Sequence, residues 1–218
     1  MIYMKPIANT FIIIMLMITI CQVAWAQSAT EDFKKGHDFF KDKNYIEAVE
    51  WFRKAAEQGD VVAQSYLAIC YWEGYGVTKS DAEAINWFRK SAEHGYAAAQ
   101  YGLGKFYREG KCSVTKDSVE AVKWFRKAAE QGLVEAQFDL ALCYASGDGV
   151  TKSYEEAATW FRKAAEQGHS TAQLFLGIGY WKGEGLPQNM DEAKNWLGKA
   201  AEQGNEMAKQ ALEQLQKE

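Results

Sequence analysis

WFRKAAEQG, residues Trp124 to Gly132, is the stretch that decides the fold, because the chain writes it five times. Trp51 to Gly59 and Trp160 to Gly168 repeat it letter for letter, Trp87 to Gly95 reads WFRKSAEHG, and Trp196 to Gly204 reads WLGKAAEQG. The tryptophans are 36, 37, 36 and 36 residues apart. Five copies in one frame define a repeat of one supersecondary unit.

Working outward from the phrase, each copy lies on a helix whose two ends are written in the sequence. Asn44, Ser80, Asp117, Ser153 and Asn189 are side chains that cap a helix N-terminus. Three residues after each stands Glu47, Glu83, Glu120, Glu156 or Glu192, the spacing of a capping box. Gly59, Gly95, Gly132, Gly168 and Gly204 stop the helix, since glycine enters the left-handed region without a Cβ clash. Between the caps, Ala48, Trp51, Phe52 and Ala55 fall at i, i+3, i+4 and i+7, a single apolar face. The repeated tryptophans are expected in the core, and the Arg-Lys pairs, such as Arg53-Lys54 and Arg126-Lys127, on a solvated face near the helix C-terminus.

A second helix precedes this one in every full repeat. Ala63, Leu67, Ala68 and Tyr71 recur as Ala99, Leu103, Gly104 and Tyr107, as Ala136, Leu140, Ala141 and Tyr144, and as Ala172, Leu176, Gly177 and Tyr180. The first helix of each pair is termed A and the tryptophan helix B. Loops such as Gly74-Tyr75-Gly76-Val77 and Gly147-Asp148-Gly149-Val150 join A to B, and the extra residue of the 37-residue copy falls near Lys111 to Ser113. Helix pairs with identical apolar faces must bury them on one another. The predicted fold is therefore all-α, a right-handed α/α superhelical solenoid of antiparallel helix pairs.

Residues 1–26 read as a signal peptide rather than as structure. Lys5 supplies positive charge, Phe11 to Ile20 is apolar, and Ala24-Trp25-Ala26 has small residues at both cleavage-site positions, which places cleavage after Ala26. A lipid anchor on Cys21, preceded by the bulky Ile20, and an uncleaved membrane anchor are the alternatives. The expected location is periplasmic or secreted, with no membrane span after cleavage. The mature chain carries 24 basic against 29 acidic residues, a formal charge of minus 5, which excludes the electrostatic footprint of a nucleic-acid binder. Three cysteines remain, Cys70, Cys112 and Cys143, an odd number that makes no complete disulfide framework. Cys70 and Cys143 share a helix A slot and are expected as small buried hydrophobes. Cys112, in the loop with the insertion, is expected to be exposed. The chain is expected to be a monomer, with a Cys112-linked dimer conceivable.

The recurring letters, alanine, then Leu-Gly-x-x-Tyr, then Gly-x-Gly-Val, then Ala-x-x-Trp and paired alanines before glycine, resemble the Sel1-like repeat family, a relative of the tetratricopeptide repeats. The resemblance divides the mature chain into a tetratricopeptide-like helix pair at 27–59, four repeats at 60–95, 96–132, 133–168 and 169–204, and a C-terminal capping helix at 205–218. It implies an adaptor or scaffold. A cysteine-rich branch with a disulfide in each repeat is not matched, since the paired cysteines are lacking.

Chemistry is sparse. His37, His94 and His169 stand in different repeats, none with a metal-ligand partner at the right spacing, and His94 and His169 adjoin helix-ending glycines. Gly147-x-Gly149 and Gly183-x-Gly185 lie between helices, so neither is a phosphate loop. Ser113-Val114-Thr115-Lys116 has the Ser-x-x-Lys spacing of penicillin-recognising enzymes, but neither the Ser-Asp-Asn nor the Lys-Thr-Gly partner exists. No catalytic residue, metal or cofactor is assigned.

With the recurring positions of helix A removed, a variable stripe remains two, six and nine residues after the first alanine. It holds Ser65, Ile69 and Trp72, then Tyr101, Lys105 and Arg108, then Phe138, Leu142 and Ala145, then Leu174, Ile178 and Trp181, with Tyr66 beside it. A helices line the concave side of such stacks, and aromatic rings beside arginine are the mix of a binding hot spot. A groove of this kind suits an extended peptide or an amphipathic helix. The sequence therefore points to an exported, non-enzymatic scaffold that binds a protein or peptide through this stripe. The alternative is a repeat protein that binds or hydrolyses a β-lactam or cell-wall ligand.

Overall fold

A computed structural model describes residues 26–111, 114–215 and 217, and its helices end where the glycines stand. They are α1 (26–41), α2 (Tyr45–Glu57), α3 (Val61–Glu73), α4 (Asp81–Glu93), α5 (Ala97–Glu109), α6 (Ser118–Glu130), α7 (Val134–Ser146), α8 (Tyr154–Glu166), α9 (Ser170–Lys182), α10 (Met190–Glu202) and α11 (Glu206–Leu215). The described residues contain no strand. Residues 1–25, which hold most of the expected signal segment and Cys21, and the loop residues Cys112 and Ser113 lie outside the described residues. The chain divides into two units, Met1–Gly95 and Tyr96–Glu218. Each is a stack of antiparallel helix pairs in which every helix packs on its neighbours in sequence, the α/α-solenoid class.

Both ends of the B helices are satisfied, though not wholly as the capping box would have it. Ser80, Asp117, Ser153 and Asn189 accept from the N–H of Glu83, Glu120, Glu156 and Glu192. Asn44 makes no such bond, because its backbone stands at φ −84°, ψ 75° rather than in the extended conformation of the other four. The return half of the box belongs to a different partner. The N–H groups of Ser80, Asp117, Ser153 and Asn189 donate to the carbonyls of Tyr71, Tyr107, Tyr144 and Tyr180 at 2.8–3.0 Å. At the other end, Gly59 donates to the Ala56 carbonyl and Asp60 to that of Ala55, and the pattern repeats at Gly132, Gly168 and Gly204, closing each helix through a left-handed residue.

The same tyrosines receive the arginine of the repeated phrase. Arg53 donates to the Tyr71 hydroxyl at 3.0 Å, and Arg126 and Arg162 donate to Tyr144 and Tyr180 at 2.6 Å. The lysine three residues after each repeated tryptophan lies over that ring, with Lys54, Lys90, Lys127, Lys163 and Lys199 at 3.8–4.9 Å from the ring centres. The Arg-Lys pairs are thus not a merely solvated face, as the sequence suggested: the arginine joins two helices and the lysine covers an indole. Trp124, Trp160 and Trp196 are buried, while Trp51 and Trp87 are half-buried. Trp51 meets a second ammonium, Lys35 from α1, on its ring.

Two further devices fix the spacing of successive pairs. Gly76, Gly149 and Gly185 have φ near +70°, and a Cβ at any of them would collide with the carbonyl of Tyr45, Ser118 or Tyr154, at the start of the preceding B helix. A glutamine ladder does the rest. Gln131, Gln167 and Gln203 donate to the side-chain oxygens of Gln100, Gln137 and Gln173, each at 2.8 Å. Gln64, Gln137 and Gln173 in turn donate to the carbonyls of Ala56, Ala129 and Ala165. In the first unit the ladder is broken. Gln64 is 4 % exposed and its Oε1 has no partner, because the position that supplies glutamine elsewhere is His94, whose Nδ1–H bonds the Lys90 carbonyl.

At the chain's C-terminal side, Asn205 accepts from the Ala208 N–H and opens α11, which buries Ala208, Ala211 and Leu215 against the stack. Cys70 and Cys143 are free and buried, and burial pushes their thiols up to about 12 and about 11. They pack as small apolar groups, as the sequence predicted.

Two expected outcomes follow for stability. Gly149→Ala costs more than about 3 kcal/mol, since strain and a backbone collision combine, whereas Gly132→Ala, with open space at its Cβ, costs about 1 kcal/mol; urea unfolding of the two variants measures the gap. His94→Gln restores the missing rung and raises stability by about 0.5–1.5 kcal/mol, seen as a melting temperature about 2–4 °C higher.

Candidate partner-binding surface

The stripe of helix A divides, on the structure, into positions that interlock with the stack and positions that remain at its surface. In the first unit Ser65 is buried, and Tyr66 sits among Phe33, His37, Phe40 and Phe52 with ring centres 5.2–5.8 Å away. Ile69 and Trp72 stay half-buried along α3.

In the second unit, two of the expected hot-spot residues prove to be structural. The Tyr101 hydroxyl donates to Asp139 Oδ2 at 2.9 Å, and Arg108 Nη1 lies 3.0 Å from Asp139 Oδ1. Asp139 is 8 % exposed, so the three side chains form a near-buried polar clasp between α5 and α7. Burial, followed by the negative charge of Asp139, raises the Tyr101 phenol well above its ordinary value. Burial pulls Arg108 the other way, but its bond to Asp139 outweighs that and holds the guanidinium charged. Lys105 lies over the Tyr101 ring at 5.6 Å. The basic step read from the sequence is therefore reduced to Lys105, because Arg108 and Tyr101 are committed to an aspartate that the stripe did not include.

Leu174 also leaves the set. It is 1 % exposed and belongs to the core, since a residue two places after the first alanine of α9 points between the helices. Phe138 is half-buried and stacks on His169 at 4.5 Å. His169 itself caps α9 by accepting the Ala172 N–H on Nδ1, so it opens a helix rather than merely complementing the end of one. Leu142, Ile178 and Trp181 are half-buried against the core.

Beside Ile178 the second unit opens into a cleft of about 310 Å³. Ala157, Ala158 and Phe161 of α8 line it from one side, with Tyr154 at the helix start. Phe175, Leu176, Ile178, Gly179 and Lys182 of α9 line the other, and Ala145 of α7 with Glu184 and Leu186 of the loop complete it. Phe161 and Phe175 are parallel, 7° apart in plane at 5.1 Å. Phe175 and Tyr154 are 38 % and 40 % exposed, large apolar surfaces for rings at a cleft edge. The sequence reading reached this cleft only through Ile178 and Ala145. It missed Phe175, one place beyond the stripe, and Gly179, seven places after Ala172. A column of the A helices holds the signal for the latter: the slot reads Cys70, Phe106, Cys143, Gly179.

The described residues bring together no three His, Cys, Asp or Glu side chains able to hold a metal, and none of their helices is long and apolar enough to cross a membrane. Cys112 and Ser113, the thiol and the nucleophile considered from sequence, lie outside the described residues.

The Sel1 repeat model matches residues 33–60, 61–96, 97–133, 134–169 and 170–205, the first being the pair that the sequence likens to a tetratricopeptide unit. None of the curated proteins matches the chain. Among solved structures it is similar to c5321, a protective antigen present in uropathogenic Escherichia coli strains displaying an SLR fold. That likeness is 36 % identical with a TM-score of 0.81, over 84 % of this chain and 40 % of the other. A Sel1 repeat protein from Oxalobacter formigenes is 40 % identical with a TM-score of 0.73, over 78 % and 49 %. The chain thus spans less than half the length of either. Repeats of this kind generally mediate contacts between proteins.

For the clasp, Asp139→Ala is expected to cost about 1.5–3 kcal/mol, the range for a hydrogen bond to a charged group. Tyr101→Phe should add little in that background, because the shared partner has gone; a double-mutant cycle by chemical unfolding reads both.

Proposed function

The chain belongs to the Sel1-repeat family, and on that premise we propose that it is an exported, non-catalytic scaffold that takes a segment of a partner protein. The contact lies on the second unit, around Leu142, Phe175, Ile178 and Trp181. The observation that carries this reading is the apolar cleft with two exposed rings at its edge, Phe175 and Tyr154. A contiguous apolar concavity at a surface has no benefit to an isolated monomer and is the usual form of a contact site. Phe138, Leu142, Ile178 and Trp181 continue the apolar character along α7 and α9, and Lys105 offers a cation on α5. Ile69 and Trp72 on α3 are the corresponding contact candidates of the first unit.

Export rests on the charge, apolar run and small residues of 1–26, which place the mature protein in the periplasm or outside the cell.

Affinity capture from envelope extracts with residues 27–218 as bait is the direct test, with Phe175→Ala and Ile178→Asp as comparison baits. Loss of an anchor residue removes at least about 1–2 kcal/mol, so the partner recovered by the unaltered bait should fall about tenfold or more with both variants. Equal recovery by all three baits would place the contact elsewhere.

A further inference from the structure

The hinge between α1 and α2 departs from the other connections of the stack. Each later connection turns on glycines at positive φ, from Gly59, Gly74 and Gly76 onward to Gly204. Asp42-Lys43-Asn44 holds no glycine, and Lys43 itself takes the left-handed backbone, at φ 60°, where its Cβ crowds the following carbonyl. Among the described residues it alone does so without being glycine. The same hinge leaves the start of α2 uncapped. Asn44 makes no side-chain cap bond, and Ala48 is the first residue of α2 whose N–H meets a carbonyl, that of Asn44. Tyr45, Ile46 and Glu47 keep the orphan donors of a helix start.

One change of conformation removes both departures. With Lys43 in the right-handed helical region, α1 and α2 become a single helix over 26–57, about 48 Å long. The N–H groups of Tyr45, Ile46 and Glu47 then meet the carbonyls of Lys41, Asp42 and Lys43, and neither glycine nor proline stands in the hinge to prevent it. Straightening carries α1 off its own chain, so its buried face needs another seat of the same shape. That face is specific. Phe33 and Phe40 pack on Phe52 and Tyr66 with ring centres 5.5–5.9 Å apart, and Gly36 admits the Phe52 ring to 2.7 Å from where a Cβ would stand. Asp32, 3 % exposed, accepts from Gln58 at 2.8 Å and from Lys54 at 3.1 Å. A second copy of this chain offers that seat complete. We infer that two copies exchange α1, each laying the helix on α2 and α3 of the other, as a domain-swapped dimer. The exchange keeps the contacts of α1 and relieves the hinge, and short hinges under strain invite such swaps. It stands apart from partner capture on the second unit, so either reading can fail without the other.

Size-exclusion chromatography with light scattering reads the exchange. Residues 27–218 are warmed and slowly cooled in a thiol reductant, which removes any Cys112-linked dimer. The mass is expected to rise toward the dimer as concentration is raised to about 1 mM. Lys43→Gly takes the left-handed turn without strain and disfavours the continuous helix, so its dimer association constant should fall about hundredfold or more. Lys43→Ala keeps the strain and the helix without the charge, and should stay within about threefold of the unaltered chain. In the dimer fraction the Cα chemical shift of Lys43 should be that of a right-handed helix. A monomer at every concentration, a dimer that Lys43→Gly leaves unchanged, equal losses in both variants, or a left-handed Lys43 in the dimer would each overturn the inference.

Discussion

The tyrosine near the end of each A helix is held from two directions. Its carbonyl takes the N-cap N–H of the following B helix, and its hydroxyl takes an arginine from the preceding one at Tyr71, Tyr144 and Tyr180. One residue therefore sets the phase of three consecutive helices. A side-chain bond from a charged donor is stronger than a neutral one, and the main-chain bond removes a donor that would otherwise stand orphaned at a helix start. With the phase fixed, the loop glycine can be brought against the backbone of the preceding pair, and the glutamines of the A helices fall within reach of the last carbonyls of the preceding B helix.

Much of this was legible in the letters, because it rests on local rules. Glycine at Gly59, Gly132 or Gly168 and a capping side chain at Ser80 or Asp117 act within a few residues, so spacing alone located the helices. What stayed hidden depends on the partner across a helix interface. Arg126 and Lys127 read as surface charge until the tyrosine and indole they meet are in place. Tyr101 and Arg108 read as a hot spot because Asp139, which binds both, is 38 and 31 residues away in the sequence. The stripe itself was one residue out of phase in places. Each step along a helix turns about 100°, which is enough to send Leu174 into the core and leave Phe175 at the surface.

The departures from the repeat are more telling than the repeat. Positions bound into the ladders hardly vary, since a substitution there would break a bond to a neighbouring pair. Ser91 shows how a departure can be absorbed: it replaces alanine in the core and donates to the Val61 carbonyl at 2.6 Å. Gly179 is met by the following loop instead, whose Glu184 carbonyl would stand 3.3 Å from a Cβ there, and it lines a cleft at the surface. In a stack of near-identical units, a difference of this kind is what can make one surface distinguishable from the next.

The glutamine ladder has a meaning for cooperativity. In a stack whose stability is a sum of unit terms and nearest-neighbour terms, each amide-to-amide rung ties helix A to helix B of one pair and belongs to the unit term, while the bonds from Gln64, Gln137 and Gln173 to the carbonyls of the preceding B helix belong to the neighbour term. Three junctions carry that rung, at Gln100, Gln137 and Gln173, and the junction between Gln64 and His94 does not. The break leaves the pair α3 and α4 of the first unit without the amide-to-amide bond that ties A to B elsewhere, so this pair relies on its apolar packing and on the bond from Ser91 to the Val61 carbonyl. A single histidine in place of glutamine thus weakens one unit term and leaves the links between neighbouring pairs as they are.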